Sequence, residues 1–408
     1  MSTALLSNTE LIAEEGGSPI SINPFSGHTH LGIFASQGSG KTVLALDILT
    51  HALAAGIPVF ALDHPRIDGS STLRDYTHAL EGDYNNVLFE AGNLFELADL
   101  GFRDTSINLL QVTLRGMVVG NSDDPYLITH CRDVLSIALK QFFGNPSIQE
   151  RYTNAIEGGI GSEAWANTPT LRDFLPFCSP ESLGLEGLKN LEGLKNLEGL
   201  KNEPALLNEL SELITQRLTF WLNSPIAHAI ASPSTKQISS NLRVFAVRED
   251  SSPDSTIEQV ALQLVALHFI LRSAYLHRQS IIFIPKFSRL CTLPILSDLI
   301  ANLCAGGAMF GIRIILENRS IHPISDSQDG ERILQNLKTV LVGKTPRPFM
   351  PALASALGLS PDVLHKAKAH RFLQAKQEGY SQWLVVQNDT NILARHYASE
   401  ALLEIVHP

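Results

Sequence analysis

The stretch that decides the fold is Ala35-Ser36-Gln37-Gly38-Ser39-Gly40-Lys41-Thr42. It follows the pattern A-x-x-x-x-G-K-T, a phosphate-binding loop in which alanine stands at the place of the first glycine. Small residues allow consecutive backbone N–H groups to surround the phosphates, and the helix that follows directs the positive end of its dipole toward them. In such a loop Lys41 reaches the β- and γ-phosphates, and the Thr42 hydroxyl is a ligand of Mg²⁺. We therefore predict ATP and Mg²⁺ as cofactors, Thr42 as the metal ligand, and nucleotide binding by Ser36, Gln37, Gly38, Ser39, Gly40, Lys41 and Thr42.

The segments on both sides of the loop favour the same interpretation. Residues 31–34 are apolar and predict a buried strand, and residues 42–55 are apolar at helical spacing and stop before Gly56. Residues 57–62 predict a second buried strand, which ends at Asp63. Strand, loop, helix and strand in this order begin a parallel, doubly wound sheet, so the predicted fold class is α/β.

Composition and charge are those of a globular protein. Of the 408 residues, 44% are hydrophobic and 18% are charged, and the formal net charge of −10 argues against coating of duplex nucleic acid. Nucleic acid in a locally basic channel stays open, and the basic segment 365–376 either faces solvent or contacts nucleic acid. The four cysteines are widely separated, which predicts reduced thiols. We find no secretory signal, and the apolar pattern at 259–275 contains His268 and Arg272, so we predict a cytoplasmic protein that reaches the inner face of the membrane only through partners.

Residues 123–224 are predicted to be mainly helical. Residues 126–143 and 205–222 carry apolar side chains at helical spacing. Between them the hexapeptide Leu-Glu-Gly-Leu-Lys-Asn occurs three times in tandem, at residues 185–202. Leucine at every third residue fits neither an α-helix nor a coiled coil, and each glycine weakens a helix by about 1 kcal/mol. The repeat is either an inert surface insertion or a short leucine-faced site for a partner.

Strand signals return after residue 224 and complete the predicted core. Later strands are predicted at 241–247, 280–284, 312–316, 339–342, 383–386 and 391–394. Helices are predicted at 257–276 and 293–304. At the start of the chain, residues 1–15 are predicted as a polar lead-in and 18–22 as a short strand. The last two strands predict a hairpin across residues 388–390. The expected architecture is an additional-strand, RecA-like P-loop sheet with helices on both faces, in which 312–316 lies between the loop strand and 281–284. The expected organisation is 1–122 as the first half of the core, 123–224 as a helical insertion and 225–408 as the second half.

The second motif of a P-loop ATPase is an apolar strand that ends in an aspartate and a glutamate. The aspartate orients the Mg²⁺ shell, and the glutamate positions and deprotonates the attacking water. The strand at 281–284 is followed by Pro285 and Lys286, so both acids are absent and a cation stands at one of the positions. Glu317 and Asp63, each at the end of a predicted strand, are candidates to compensate. The alternative is that both are ordinary solvated or capping carboxylates.

With these motifs in order, the chain resembles the TraC-like motor ATPases of conjugation and type IV secretion systems, in the wider HerA–FtsK group of P-loop NTPases. The resemblance covers most of the chain but not that family's separate N-terminal domain. It rests on the phosphate loop, Asp63 and segments 80–84, 107–108, 283–290, 311–318, 357–361 and 383–395. Phe283-Ile-Pro-Lys-Phe-Ser-Arg-Leu290 aligns with the family's V-I-D-E-A-W-R-L, with Pro285 where aspartate belongs and Lys286 where glutamate belongs. Residues 311–318 are similar to the family's sensor strand, with Asn318 at its glutamine position.

The resemblance implies an ATP-binding subunit of a homo-hexameric assembly that works with secretion or conjugation machinery. Because both acids are replaced, we expect a hydrolysis-deficient structural or regulatory component, and whether the chain is an enzyme stays open. The alternative is an active ATPase that drives DNA or protein translocation with relocated acids, for which Glu317 and Asn318 are the catalytic candidates. A third hypothesis is a decayed copy that neither binds nor assembles, against which the intact Gly-Ser-Gly-Lys-Thr argues.

Overall fold

The structure is a computed structural model that describes residues 8–25, 30–96, 104–120, 122, 124–183, 204–235, 240–248, 256–360, 362–363, 379–387 and 390–406. The chain divides into two compact units, of which the first comprises Met1–Tyr84, Ser240–Ala246 and Ser273–Pro408, and the second Asn85–Ser239 and Val247–Arg272. The predicted insertion at 123–224 falls within the second unit, and its bounds remain a prediction. Three predicted features lie outside the described residues: the repeat at 185–202, the basic segment 365–376 and the turn residues 388 and 389.

The described strands form one mixed sheet. In chain order they are β1 Thr9–Ala13, β2 Pro19–Ile22, β3 His30–Phe34, β4 Val59–Asp63, β5 Asp83–Asn86, β6 Leu242–Ala246, β7 Ser280–Ile284, β8 Ile312–Asn318, β9 Leu337–Val342, β10 Ser381–Gln387 and β11 Thr390–His396. Their order in the sheet is β2-β1-β11-β10-β9-β3-β8-β7-β4-β6-β5. The phosphate loop therefore leaves the sheet near its middle, at the end of β3.

The run of strands from β9 through β3, β8, β7 and β4 to β6 is parallel. This confirms the α/β fold class, and β8 lies between β3 and β7 as the additional-strand class requires. The strands β3, β4, β7 and β8 are buried along their whole length, which explains why they are continuous apolar runs in the sequence. Antiparallel pairs extend the sheet beyond β9, through β10 and β11 to β1 and β2.

The described helices are, in chain order, α1 Lys41–Ala54, α2 Thr72–Ala79, α3 Asp104–Val119, α4 Pro125–Gly144, α5 Pro146–Gly158, α6 Glu163–Ala166, α7 Leu171–Phe174, α8 Pro180–Leu183, α9 Pro204–Leu222, α10 Ala227–Ala231, α11 Thr256–Tyr275, α12 Ser288–Cys291, α13 Pro294–Gly306, α14 His322–Ser325, α15 Gly330–Asn336, α16 Met350–Leu357 and α17 Glu400–Val406. The helices predicted at 126–143, 205–222, 257–276 and 293–304 are confirmed. Among the described residues, Ile257–Tyr275 is long and apolar enough to cross a membrane by composition, and 72% of its most apolar window is buried in the fold.

The amino-terminal region differs from the prediction of a polar lead-in, which is wrong for residues 9–13. These residues form β1, in which Leu11 and Ala13 are buried. β1 pairs with β2 on one side and with β11 on the other, where Ile12 is opposite Arg395. One of its two neighbouring strands thus comes from the far end of the chain, and a local pattern cannot reveal that pairing. The predicted hairpin of β10 and β11 is confirmed.

Candidate nucleotide-binding site

The phosphate loop connects the carboxyl end of β3 to the amino end of α1. Gly38 and Gly40 have φ angles of 75° and 81°, in the left-handed region that favours glycine, which lets the loop fold back over the start of the helix. Leu44 N donates to Gly40 O at 2.9 Å, and the N–H groups that precede it in the first turn have no partner within the helix. Thr42, the predicted Mg²⁺ ligand, is the second residue of this turn and is half-buried. The amino end of α1 can therefore receive an anion.

The other loop residues are held by neighbouring segments. Ser36 N donates to Lys344 O at 2.8 Å, so this N–H is occupied and Ser36 offers its hydroxyl, which lies 3.3 Å from that of Ser39. Gln37 is exposed, and its Oε1 accepts a hydrogen bond from Arg319 Nη2 at 3.4 Å. Arg319 directly follows β8 and brings a cation to the loop. The loop motif does not predict this cation, because Arg319 belongs to a different segment of the sequence.

Lys41 faces Glu317 across the site. Its Nζ lies 3.6 Å from Glu317 Oε1, and the two side chains are 11% and 7% exposed. The contact follows from the sheet, because Glu317 is in register with Ile33 on the adjacent strand β3. Burial raises the pKa of the Glu317 carboxyl, and the nearby Lys41 and Lys286 ammonium groups offset part of that rise. The structure thus brings together the loop lysine and the predicted catalytic carboxylate.

Asn318 ends β8 and connects three segments around the site. Its carbonyl oxygen accepts a hydrogen bond from Ala35 N at 3.2 Å, at the start of the loop. Its side-chain Nδ2 donates to Ser320 O at 2.9 Å, and its Oδ1 accepts from Ser288 N at 3.4 Å. Both ends of the amide are thus engaged by the protein, so the geometry indicates that Asn318 positions β8, the loop and the segment after β7.

The two positions where acids are expected follow β7. Lys286 adopts φ 53°, a left-handed conformation that is uncommon for a residue with a side chain. Its Nζ donates to His64 O at 2.8 Å, at the carboxyl end of β4, while the next residue, Phe287, donates its N–H to Glu317 O at 3.0 Å. The segment after β7 therefore joins the ends of β4 and β8 and directs a cation, rather than two carboxylates, to this edge of the sheet.

Asp63 and His64 complete the carboxyl end of β4. The Tyr84 hydroxyl donates to Asp63 Oδ2 at 2.6 Å, so the strand-end aspartate and the 80–84 turn of the family resemblance are in contact. Burial lowers the pKa of His64 to about 3, and Arg289 and Lys286 contribute to that shift through their positive charge. His64 is consequently neutral at pH 7. His64 could not be predicted as a site residue, because a histidine after a strand has no motif of its own.

The arrangement fits a nucleotide with Mg²⁺. Within the described ranges, no group of three or more His, Cys, Asp or Glu side chains could hold a metal ion unaided. A Mg²⁺ ion at Thr42 would therefore share its coordination with phosphate oxygens, as phosphate-loop proteins arrange it. Lys41 would hold the β- and γ-phosphates by charge-assisted hydrogen bonds.

Comparison with family models found no match, and comparison with curated protein sequences found none either. Among solved structures, VirB4 of Thermoanaerobacter pseudethanolicus matches with a TM-score of 0.65 and 16% identity over 98% of both chains. The bacterial conjugative coupling protein TrwB, lacking its first 70 residues, matches with a TM-score of 0.52 and 13% identity over 98% of this chain and 92% of that chain. The chain has the fold of VirB4 and TrwB. TrwB has also been solved with ADP and Mg²⁺, a structure that matches with a TM-score of 0.45 and 16% identity over 95% of this chain and 82% of that chain.

Proposed function

We propose that this chain is an ATP-binding, TraC-like relative of the conjugation and type IV secretion ATPases that does not hydrolyse ATP at an enzymatic rate. It binds ATP with Mg²⁺ at residues 36–42 and acts as a structural or regulatory subunit of a hexamer at the cytoplasmic face of the membrane, which it reaches through partners. The fold likeness to VirB4 and TrwB and the intact phosphate loop support this proposal. The same proposal includes the division of the chain into a first half of the core at 1–122, a helical insertion at 123–224 and a second half of the core at 225–408.

The observation that carries the proposal is the segment after β7. Pro285 and Lys286 follow the strand directly, and the Lys286 ammonium donates to His64 O at 2.8 Å. A cation at this position cannot deprotonate water, and proline has neither a carboxylate for the metal shell nor a backbone donor. Loss of a positioned general base alone lowers a rate by roughly 10²- to 10⁴-fold.

The first experiment measures binding and turnover on the same preparation. We expect calorimetry to detect ATP binding that is stronger with Mg²⁺ than with EDTA, and Lys41→Ala to abolish it. A steady-state assay should give a rate at least 100-fold below the order of 1 s⁻¹ that is common for enzymes. Wild-type protein that fails to bind ATP would refute the nucleotide-binding part of the proposal, and fast turnover would refute the hydrolysis-deficient part.

Restoring both acids provides the complementary experiment. Pro285→Asp with Lys286→Glu should raise turnover more than either single change, because the two carboxylates act on one transition state. Lys286→Gln is the matched control, since it removes the cation without supplying a base. A double variant that binds ATP but gains no turnover over this control would contradict the assignment of the two positions.

A second function, active hydrolysis with a relocated base, is favoured by one observation. Glu317 lies 3.6 Å from the Lys41 ammonium and its pKa is raised by burial, which makes its carboxylate a better base than an exposed glutamate. If the unmodified protein turns over ATP at about 1 s⁻¹ or faster and Glu317→Gln abolishes this rate, this second function replaces the first.

A further inference from the structure

We propose that the base of the bound nucleotide stacks on Tyr397, in an aromatic platform formed by Tyr380, Arg395 and Tyr397. This inference rests on the ATP binding proposed above. It identifies the ligand as a nucleoside triphosphate that is recognised through its base, rather than a bare polyphosphate held by the loop.

The direction of the nucleotide follows from the sheet. β3 has β8 on one side and β9 on the other, with β10 beyond β9. Lys41, which in this motif contacts the β- and γ-phosphates, points to Glu317 on β8. The γ-phosphate end of a bound nucleotide is therefore on the β8 side of the loop. The ribose and the base leave the loop on the opposite side, toward β9 and β10.

The end of the β10–β11 hairpin is fixed beside the loop on that side. A Cβ atom on Gly40 would lie 3.0 Å from the Cβ of Ser381, the first residue of β10. Ser381 pairs with His396, the last residue of β11, and His396 Nε2 lies 3.3 Å from Asp47 Oδ2 on α1. The strand pair and the phosphate-loop helix are thus joined at two points, and the residues next to Ser381 and His396 lie close to the loop.

Those neighbouring residues are both tyrosines. Tyr380 precedes Ser381 and Tyr397 follows His396, and their ring centroids are 5.5 Å apart with an interplanar angle of 49°. The Arg395 guanidinium lies 4.7 Å from the centroid of the Tyr380 ring, and hydrogen bonding to the Tyr397 side chain raises the pKa of Arg395. The cation therefore braces both rings, while Tyr397 keeps 53% of its surface exposed.

A large, braced and exposed aromatic side chain beside a phosphate loop has the chemistry of a base-binding surface. Every base has a π-face, and alanine substitution of a stacking aromatic residue weakens binding by roughly 5- to 150-fold per base in nucleic-acid complexes. The Tyr397 ring could supply such a face without a rearrangement of the sheet, because its position is set by the β10–β11 register.

The test compares two probes on one protein, ATP and inorganic tripolyphosphate, each titrated by calorimetry in Mg²⁺. We expect Tyr397→Ala to weaken ATP binding about tenfold or more, the fold-change that corresponds to roughly 1.4 kcal/mol, and to leave tripolyphosphate binding unchanged. Tyr397→Phe keeps the π-face but loses the hydrogen bond to Arg395, so it should bind ATP more tightly than the alanine variant. Tyr397→Leu should behave like the alanine variant, because leucine keeps apolar volume but has no π-face. Tyr126→Ala is the control, since Tyr126 is also 53% exposed but belongs to α4.

The outcomes separate this inference from the proposed function. Wild-type protein that binds neither probe removes the proposed function itself. Wild-type protein that binds ATP while Tyr397→Ala binds it equally well overturns the platform. Loss of both probes in Tyr397→Ala also overturns it, because the tyrosine would then support the loop rather than the base.

Discussion

Replacing Glu317 by glutamine should strengthen ATP binding and remove its pH dependence. Glu317 is a buried carboxylate that holds the Lys41 ammonium at 3.6 Å, and its pKa is raised by burial. A bound triphosphate replaces Glu317 as the partner of the Lys41 ammonium and brings several negative charges close to the Glu317 carboxylate. The carboxylate must then either lose its cation partner or take up a proton. Glutamine keeps the shape of the side chain and removes this conflict.

The size of the effect follows from the Lys41–Glu317 distance. At 3.6 Å and an effective dielectric constant of about 20, two unit charges attract by roughly 4–5 kcal/mol. The phosphates restore most of this attraction for Lys41, and protonation of the carboxyl relieves most of the repulsion. The net gain in binding free energy of Glu317→Gln is the part of this energy that neither process restores. We expect it to be about 1.4 kcal/mol, which is about a tenfold lower Kd for ATP at pH 8.

The raised pKa of Glu317 sets the direction in which ATP affinity changes with pH. Because the Glu317 pKa is raised in the free protein, the approach of phosphates raises it further, and binding above that pKa takes up a proton. Wild-type affinity should therefore increase as the pH falls toward the pKa of Glu317, while the affinity of Glu317→Gln changes much less. Calorimetry in two buffers of different ionisation enthalpy measures the proton uptake directly.

The matched control is Glu331→Gln, which alters an exposed carboxylate hydrogen-bonded to Gln335. It should leave affinity and proton uptake as in the wild type. Equal affinities and equal proton uptake for wild type and Glu317→Gln would refute the reasoning. Weaker binding of Glu317→Gln in Mg²⁺ alone would also refute it and would identify Glu317 as a metal ligand.

Three other outcomes are expected. Gly40→Ala should lower the free energy of unfolding by about 1–2 kcal/mol and should weaken ATP binding more than Gly38→Ala does. Both glycines have positive φ, but only at Gly40 would the new Cβ atom meet Ser381. Thermal melts measure the stability, and calorimetry measures the ATP affinity. Glu96→Ala should cost about 3–5 kcal/mol in urea unfolding because it removes one member of a buried ion pair, in which Arg272 is 7% exposed and lies 2.9 Å from Glu96. Acid should destabilise the protein, because its buried histidines have lower pKa values in the folded state than in the unfolded chain. Each contributes stability that is present above pH 6.5 and is lost as the pH falls, by about 2 kcal/mol between pH 7 and pH 5. Urea unfolding at these two pH values measures the loss. Burial lowers the pKa to about 4, 3 and 3 in His30, His64 and His268.

The parts of the fold that sequence could predict are those whose signals are local. The phosphate loop, its strand and its helix are contiguous, and the parallel strands are buried on both faces, so they stand out as short apolar runs. The position of β8 between β3 and β7 is also confirmed, because this order accompanies the phosphate loop in its structural class.

The parts that sequence could not predict depend on contacts between distant segments. Glu317 was a candidate from its place at a strand end, but its 3.6 Å approach to Lys41 depends on the register of β8 against β3. The left-handed backbone of Lys286 and its bond to His64 O have no counterpart in local propensity, since lysine normally avoids that conformation. The approach of Ser381 to Gly40 likewise depends on two successive strand pairings, of β3 with β9 and of β9 with β10.

The pairing of β1 with β11 has a consequence for how the protein is made. Ile12 and Arg395 are about 380 residues apart along the chain, and a ribosome adds roughly 5–20 residues per second, so β1 waits some 20–80 seconds for its partner strand. During that interval β1 and β2 form at most an isolated two-stranded hairpin, which is marginally stable in water and exposes an unpaired strand edge. Slower synthesis would lengthen this exposure without altering a single contact of the finished protein. The yield of folded chain should therefore depend on chaperones that cover this edge until the last strands have left the ribosome.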